Sequence, residues 1–319
     1  MARDIADDVQ CSLVHKRITT MKPKPRPHAP VKKEISRRIS LPRGRDNEHP
    51  DTPRPERAEV KYHGSGACLA LWNQRPKDIL RAYVERARLP DFSSFLKWCS
   101  AERTPYHVVE KEDLEKLTET VHHGGICMLA LEPRTLTFAQ LRVALRDNQN
   151  PQLVIYLDGV ENPHNLGAML RTCAHFGVQY VLGAQGSLPR LSPSACRIAE
   201  GGAEHVRLIA LEEPLSDLRE LAADGFQIVG TSVSQGTSVY AFDYPQRTVL
   251  VFGAETVGMS RELRELTQQV LRVPGSAAVE SLNVSVACGI FTSEFYRRHV
   301  AVRKVTTTAG QKSPRPTRK

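Results

Sequence analysis

The sequence predicts an α/β protein in two folded parts, a small α/β unit followed by a larger domain built on a parallel sheet. Two observations predict the larger part. From residue 153 onward, short continuous apolar runs such as Leu153-Val-Ile-Tyr-Leu157 alternate with stretches of helical periodicity. Strands without a polar face must be buried on both sides, as parallel strands are when crossover helices cover the sheet. The small part shows the same alternation compressed into residues 62–131, near the lower end of domain sizes.

Taken in order, the small unit should hold a helix at 67–73, a strand at 79–84 and a helix at 92–102 after Pro90-Asp91. A strand at 106–109, a helix opening at Lys111 with Leu114 and Leu117, and a strand at 126–131 complete it. Residues 132–151 open with Glu132-Pro133 and close with Asn148-Gln-Asn-Pro151 around a helix at 138–145, which marks a domain boundary. Beyond it, strands are expected at 153–157, 179–182, 206–210, 226–231, 248–252 and 271–273. The intervening helices fall at 166–176, 193–200, 215–223, 261–268 and 283–298. The domain plan is an arm at 1–60, the small unit at 61–133, a linker at 134–150, the sheet domain at 151–299 and a tail at 300–319.

Charge divides along the same lines. The chain of 319 residues carries a net charge of +9, with 44 Lys+Arg against 35 Asp+Glu. Residues 1–60 hold 14 basic and 9 acidic residues with 8 of the 21 prolines, and residues 301–319 hold 6 basic and no acidic ones. The middle, with 24 basic and 26 acidic residues, is slightly negative. Both ends lack apolar periodicity and have the composition of disordered arms, suited either to attraction to phosphate backbones or to service as solubilising tails. No apolar run approaches the roughly 18 residues of a membrane span. The first residues, with Asp4, Asp7 and Asp8, do not resemble a signal peptide. Seven cysteines without a C-x-x-C pair fit reduced thiols, so the expectation is a cytoplasmic protein that contacts no membrane.

Several chemistries lose support. Gly64-Ser-Gly-Ala lacks the third glycine and preceding strand of a dinucleotide fingerprint, and no Walker-type phosphate loop occurs. His122-His123 has no further ligand at metal spacing, so no metal site is expected. Ser281 lacks the strand–Gly-x-Ser-x-Gly–helix context of a hydrolase nucleophile. Three segments remain, each after an expected strand, where ligands of open parallel sheets bind. The first is Asn162-Pro-His-Asn165-Leu-Gly167-Ala-Met-Leu-Arg171, with Asn165 placed to cap the next helix and Arg171 within its first two turns. The second is Gly253-Ala-Glu255-Thr-Val-Gly258, whose glycines permit close approach to backbone amides. The third is Val273-Pro274 followed by Glu280-Ser281-Leu282-Asn283-Val-Ser285, where Asn283 is placed either to cap the last helix or to reach a ligand.

Together and in this order, the three segments resemble the motifs of the SpoU-type (TrmH-like) RNA ribose 2′-O-methyltransferases of the SPOUT superfamily. The family's N-x-G-x-x-x-R appears as Asn165, Gly167 and Arg171, and its G-N-E-x-x-G as Gly253, Ala254, Glu255 and Gly258. Its I-P-M and S-L-N-V-S-x-A appear as Val273-Pro274-Gly275 and Ser281-Leu-Asn-Val-Ser-Val-Ala287. Ala254 and Gly275 depart from the pattern. Tyr106-His-Val-Val109, His122-His-Gly-Gly125 and Ala199-Glu-Gly-Gly-Ala-Glu-His205 also resemble the uncharacterised bacterial branch with a basic N-terminal arm.

The resemblance spans about residues 61–299 and implies a ribosomal-protein-like substrate-binding domain for structured RNA, tRNA or rRNA, at 61–133. It also implies a SPOUT methyltransferase domain with a C-terminal trefoil knot, working as a homodimer with S-adenosyl-L-methionine as cofactor. Asn165, Arg171, Glu255 and Asn283 would be its catalytic residues; the alternative reading is a non-catalytic RNA-binding protein that uses the same fold. Thr231, Gly253, Gly258, Val273, Ser281 and Leu282 would bind the cofactor. Val286, Ile290 and Phe291 on the last helix are apolar positions available for subunit packing, or equally for the core.

Overall fold

The computed structural model describes residues 57–254 and 256–301; the remainder of the expected arm, the tail from 302 and Glu255 lie outside the described residues. The small unit is a four-stranded sheet in the order β1-β4-β2-β3, with β1 Glu59–His63, β2 Ile79–Glu85, β3 Tyr106–Val109 and β4 Ile126–Leu131. Strand β4 runs antiparallel to β1 and β2, while β2 and β3 are parallel. Helices α1 (Ser65–Gln74) and α2 (Ser93–Glu102) cover one face, burying Cys68, Leu71, Phe95 and Cys99 against Tyr62, Val84 and Met128. Helix α3 (Lys111–Thr118) buries Leu114 and packs on β2 and β4.

Strand β1 corrects the expected arm boundary at residue 60. Glu59-Val-Lys-Tyr-His63 alternates for only five residues directly after a Pro-rich stretch, too short a signal to separate from it; it also puts a strand before Gly64, contrary to expectation, although the third glycine of a dinucleotide fingerprint is still missing. Its ladder to β4 supplies the order, and Arg57 just before it bonds both carboxylate oxygens of Asp78, at 2.6 and 3.0 Å.

The larger part is a seven-stranded sheet, parallel throughout, in the order β7-β6-β5-β10-β8-β11-β9. Its strands are β5 (Gln152–Asp158), β6 (Tyr180–Ala184), β7 (Arg207–Leu211), β8 (Gln227–Thr231), β9 (Thr237–Ser238), β10 (Arg247–Gly253) and β11 (Gln269–Arg272). Only the two-residue β9 has no counterpart in the sequence reading. Period two explains the two cores: Ile155, Leu157, Leu250 and Phe252 point to one face, and Val154, Tyr156, Val249 and Val251 to the other. The first face is covered by α5 (Pro163–Phe176), α6 (Pro193–Ile198) and α9 (Val284–Tyr296), the second by α4 (Phe138–Asp147), α7 (Pro214–Ala223) and α8 (Arg261–Leu266).

Helix α4, read from sequence as part of a linker, belongs to this second face. Leu141 and Leu145 are fully buried there, each contributing about 1.5–3 kcal/mol. Thr137 and Gln140 close a capping box at its start, and Arg142 pairs with Asp224 and Glu220 beside α7.

The small unit and the larger part share packing. Cys196 of α6 joins the core of the small sheet, and α6 lies against β1.

Candidate active site

The three motif segments converge at the carboxyl ends of β5, β10 and β11. Asn165 sits inside the first turn of α5, 7 % exposed, and its Oδ1 accepts a 3.0 Å hydrogen bond from Nδ2 of Asn283. Asn283 is the cap of α9, its Oδ1 accepting from the Ser285 amide at 2.9 Å and the Ser285 hydroxyl at 2.6 Å. Of the two readings of Asn283, the cap is the one observed, and its amide nitrogen is turned to Asn165 of the first segment.

Asn165 itself does not cap its helix, contrary to expectation. Asn162 does so by accepting from the His164 amide at 2.9 Å, with Pro163 at the first helical position. The helix thus starts earlier, and Arg171 lies in its third turn, exposed to solvent.

The second segment is a tight loop. Ala254 and Gly258 exchange backbone hydrogen bonds of 2.8 and 3.1 Å, and the Ser260 amide donates to Asp158 Oδ2 at 2.6 Å. A Cβ on Gly253 would overlap the backbone of Gly258 and Met259, so closure of this loop requires the glycine before any ligand does. Asp158, the carboxylate that ends the continuous apolar strand β5, is not among the expected site residues. Glu255, on the same loop, lies outside the described residues.

Beside this loop, a cleft of about 170 Å³ is lined by Gly159–Asn162, Asn165, Ala254 and Thr256. Thr231 ends β8, its hydroxyl donating to the Val251 carbonyl at 2.9 Å. Val273 is half-buried after β11, while Ser281 and Leu282 are exposed, Leu282 at 44 %. Among the described residues, no group of His, Cys, Asp or Glu side chains is arranged to hold a metal ion.

The chemistry of these loops fits a cationic ligand. Residues 231–234, 253–259 and 273–283 contain no lysine or arginine and two carboxylates, Glu255 and Glu280. A sulfonium compound would meet no like charge from them.

A family model described as the SpoU rRNA Methylase family matches residues 152–293, and one described as RNA 2′-O ribose methyltransferase substrate binding matches residues 63–136. An uncharacterised tRNA/rRNA methyltransferase, YfiF, of Escherichia coli O157:H7 is 38 % identical over 253 residues, covering 79 % of this chain and 72 % of that protein. The chain belongs to the SpoU methylase family.

The 23S rRNA (guanosine-2′-O-)-methyltransferase RlmB of Pseudomonas syringae pv. tomato is 31 % identical over 76 % of this chain and 98 % of its own length. The fold is also that of the SpoU methyltransferase AviRb from Streptomyces viridochromogenes, solved with AdoMet, at a TM-score of 0.62 and 18 % identity. That match covers 76 % of this chain and 91 % of AviRb. As a SpoU methylase, the protein is an S-adenosylmethionine-dependent RNA 2′-O-methyltransferase. Among the described residues, no helix is long and apolar enough to cross a membrane.

Proposed function

We propose that this SpoU methylase modifies one ribose 2′-hydroxyl in structured tRNA or rRNA, with the cofactor held by the strand-end loops and the RNA positioned by residues 61–133. The observation that carries the site assignment is the Asn283–Asn165 hydrogen bond, which joins two family motifs 118 residues apart beside a cleft at the strand ends. Thr231, Gly253, Gly258, Val273, Ser281 and Leu282 would hold S-adenosylmethionine, the last through the backbone of its exposed loop.

The bound cofactor supplies an electrophilic methyl on sulfur. The protein must align the hydroxyl with it and help a weakly acidic proton to leave, and alignment alone is worth much of the rate. Arg171 would orient an RNA phosphate, because a guanidinium is a poor proton acceptor and its fork matches phosphate oxygens. The proton then leaves to water or a neighbouring phosphate. Asn165, held by Asn283, would orient the arginine or the ribose, and Glu255 would orient active-site groups.

The trefoil knot belongs to the same proposal. In its support, β11 lies between β8 and β9 in the sheet although it follows both in the chain. In a knotted chain, the last segment would return past the connection between β8 and β9. A homodimer that completes the site is supported by exposed apolar residues around it, Val257, Val279, Leu282 and Val286. Of the positions open to either role, Phe291 is 2 % exposed within the sheet core and Ile290 packs against that core, while Val286 is exposed. The ribosomal-protein-like character of the small unit and cytoplasmic residence stand as parts of this reading.

Mapping ribose methylation across total RNA from cells with and without the gene tests the reading. One site lost on deletion supports it and names the substrate; an unchanged methylation map contradicts it.

A further inference from the structure

The segment Ala199-Glu-Gly-Gly-Ala-Glu-His205 is not used by the site, yet it lies between the RNA-binding unit and the helix carrying the motif arginine. Its 3₁₀ turn, Gly202–Glu204, is seated on α5: a Cβ on Gly202 would stand 2.8 Å from Arg171 Cα and 2.8 Å from the Leu170 carbonyl oxygen. Two residues on, the Glu204 carboxylate, 1 % exposed, faces the other way into the small unit. There it accepts a bidentate pair from Arg75, Nε to Oε2 at 2.6 Å and Nη2 to Oε1 at 3.0 Å.

Arg75 is held as tightly. Its remaining N–H groups donate to Asp78 Oδ2 at 2.7 Å, the Leu131 carbonyl at 2.9 Å and the Tyr62 hydroxyl at 3.1 Å. All five guanidinium donors are thus used. Asp78 is braced in turn by Arg57, so the fork is fixed to β1, to the start of β2 and to the end of β4.

We propose that Arg75 and Glu204 are positioning residues that set the RNA-binding unit in register with Arg171, and so determine which nucleotide of a bound RNA reaches the cleft. The inference rests on the reading of the chain as an RNA 2′-O-methyltransferase. A planar fork between two rigid elements fixes distance and orientation together, which a single charge contact cannot do. Neither residue needs to touch RNA or cofactor for this. Simple stabilisation is the competing role, and it predicts a different result, since a buried pair replaced by apolar residues of similar volume often keeps stability.

Two variants separate the roles. Arg75→Lys keeps the charge pair and loses the fork, while the double variant Arg75→Met with Glu204→Leu removes both charges and leaves no buried ion unpaired. Each is assayed with methyl-labelled S-adenosylmethionine on rRNA and bulk tRNA from cells lacking the gene, alongside separate RNA and cofactor binding. Circular dichroism checks folding. Folded variants should bind both ligands as the wild type does, yet transfer methyl about a hundredfold more slowly, as misplacement of the order of 1 Å produces. The label should also spread to additional nucleotides. Wild-type rate and wild-type site choice in either folded variant would overturn the proposal. A wild-type protein that labels no RNA would instead fail the methyltransferase reading, and the proposal with it.

Discussion

At Asn283 one amide side chain holds two bonds of different purpose, Oδ1 on the Ser285 amide and Nδ2 on Asn165. Aspartate is isosteric, caps helices as well, and cannot donate. Asn283→Asp should therefore keep the cap of α9, and with it a melting temperature close to the wild-type value, while methyl transfer falls steeply, because Asn165 loses the part-buried donor that orients it. Calorimetry with a methylation assay checks this; equal activity would detach the pair from the reaction. Arg171→Ala should likewise abolish transfer while leaving cofactor affinity unchanged, since the exposed guanidinium is assigned to RNA phosphate. Isothermal titration with S-adenosylmethionine decides: a large loss of affinity in folded protein would place the residue on the cofactor. The residue types at the site were legible from the three motifs, but their partners were not. Asn165 and Asn283 are 118 positions apart and Arg75 and Glu204 129 apart, and no local pattern carries such pairings. The cap of α5 was legible after all, because a proline at the first helical position points to the residue before it.

Elements declared themselves in proportion to their length and burial. Strands β5 and β10 are continuous apolar runs buried on both faces, and the sequence reading places both within a residue or two. Strand β1 escapes because its five residues follow prolines, and β9 because two residues carry no period. The end of β1 also carries a titratable group that ties fold to pH. His63 is 3 % exposed, and its imidazole is pushed down from the ordinary 6.5 to about 4, by burial first and then by the Arg197 cation, His123 and Lys61. Between these values the unfolded chain binds a proton that the folded chain refuses, so stability rises with pH there. The contribution is complete above pH 6.5 and is lost as pH falls through about 4. Thermal unfolding followed by circular dichroism should show the melting temperature dropping over that window. His63→Gln should flatten the slope, and an unchanged slope would mean that another group carries it.

On the scale of the whole molecule, the charge is segregated. Removing residues 1–56 and 302–319, the parts outside β1 and the last described turn, deletes 13 and 6 of the 44 basic residues. The trimmed protein should bind RNA more weakly and with a flatter salt dependence, since each lost phosphate contact removes about 0.7 from the log–log slope on single strands. Its affinity for S-adenosylmethionine should be unchanged. Equal RNA affinity and slope for the two proteins would leave the arms as solubilising segments. The central claim is that the strand-end cleft places a methyl group on a ribose oxygen of RNA. Incubating the full chain with methyl-labelled S-adenosylmethionine and RNA from cells lacking the gene, then digesting the RNA to nucleosides, tests it most directly. The account predicts label in a single 2′-O-methylnucleoside, absent with Arg171→Ala; label confined to base methyl groups, or none in RNA at all, would contradict it.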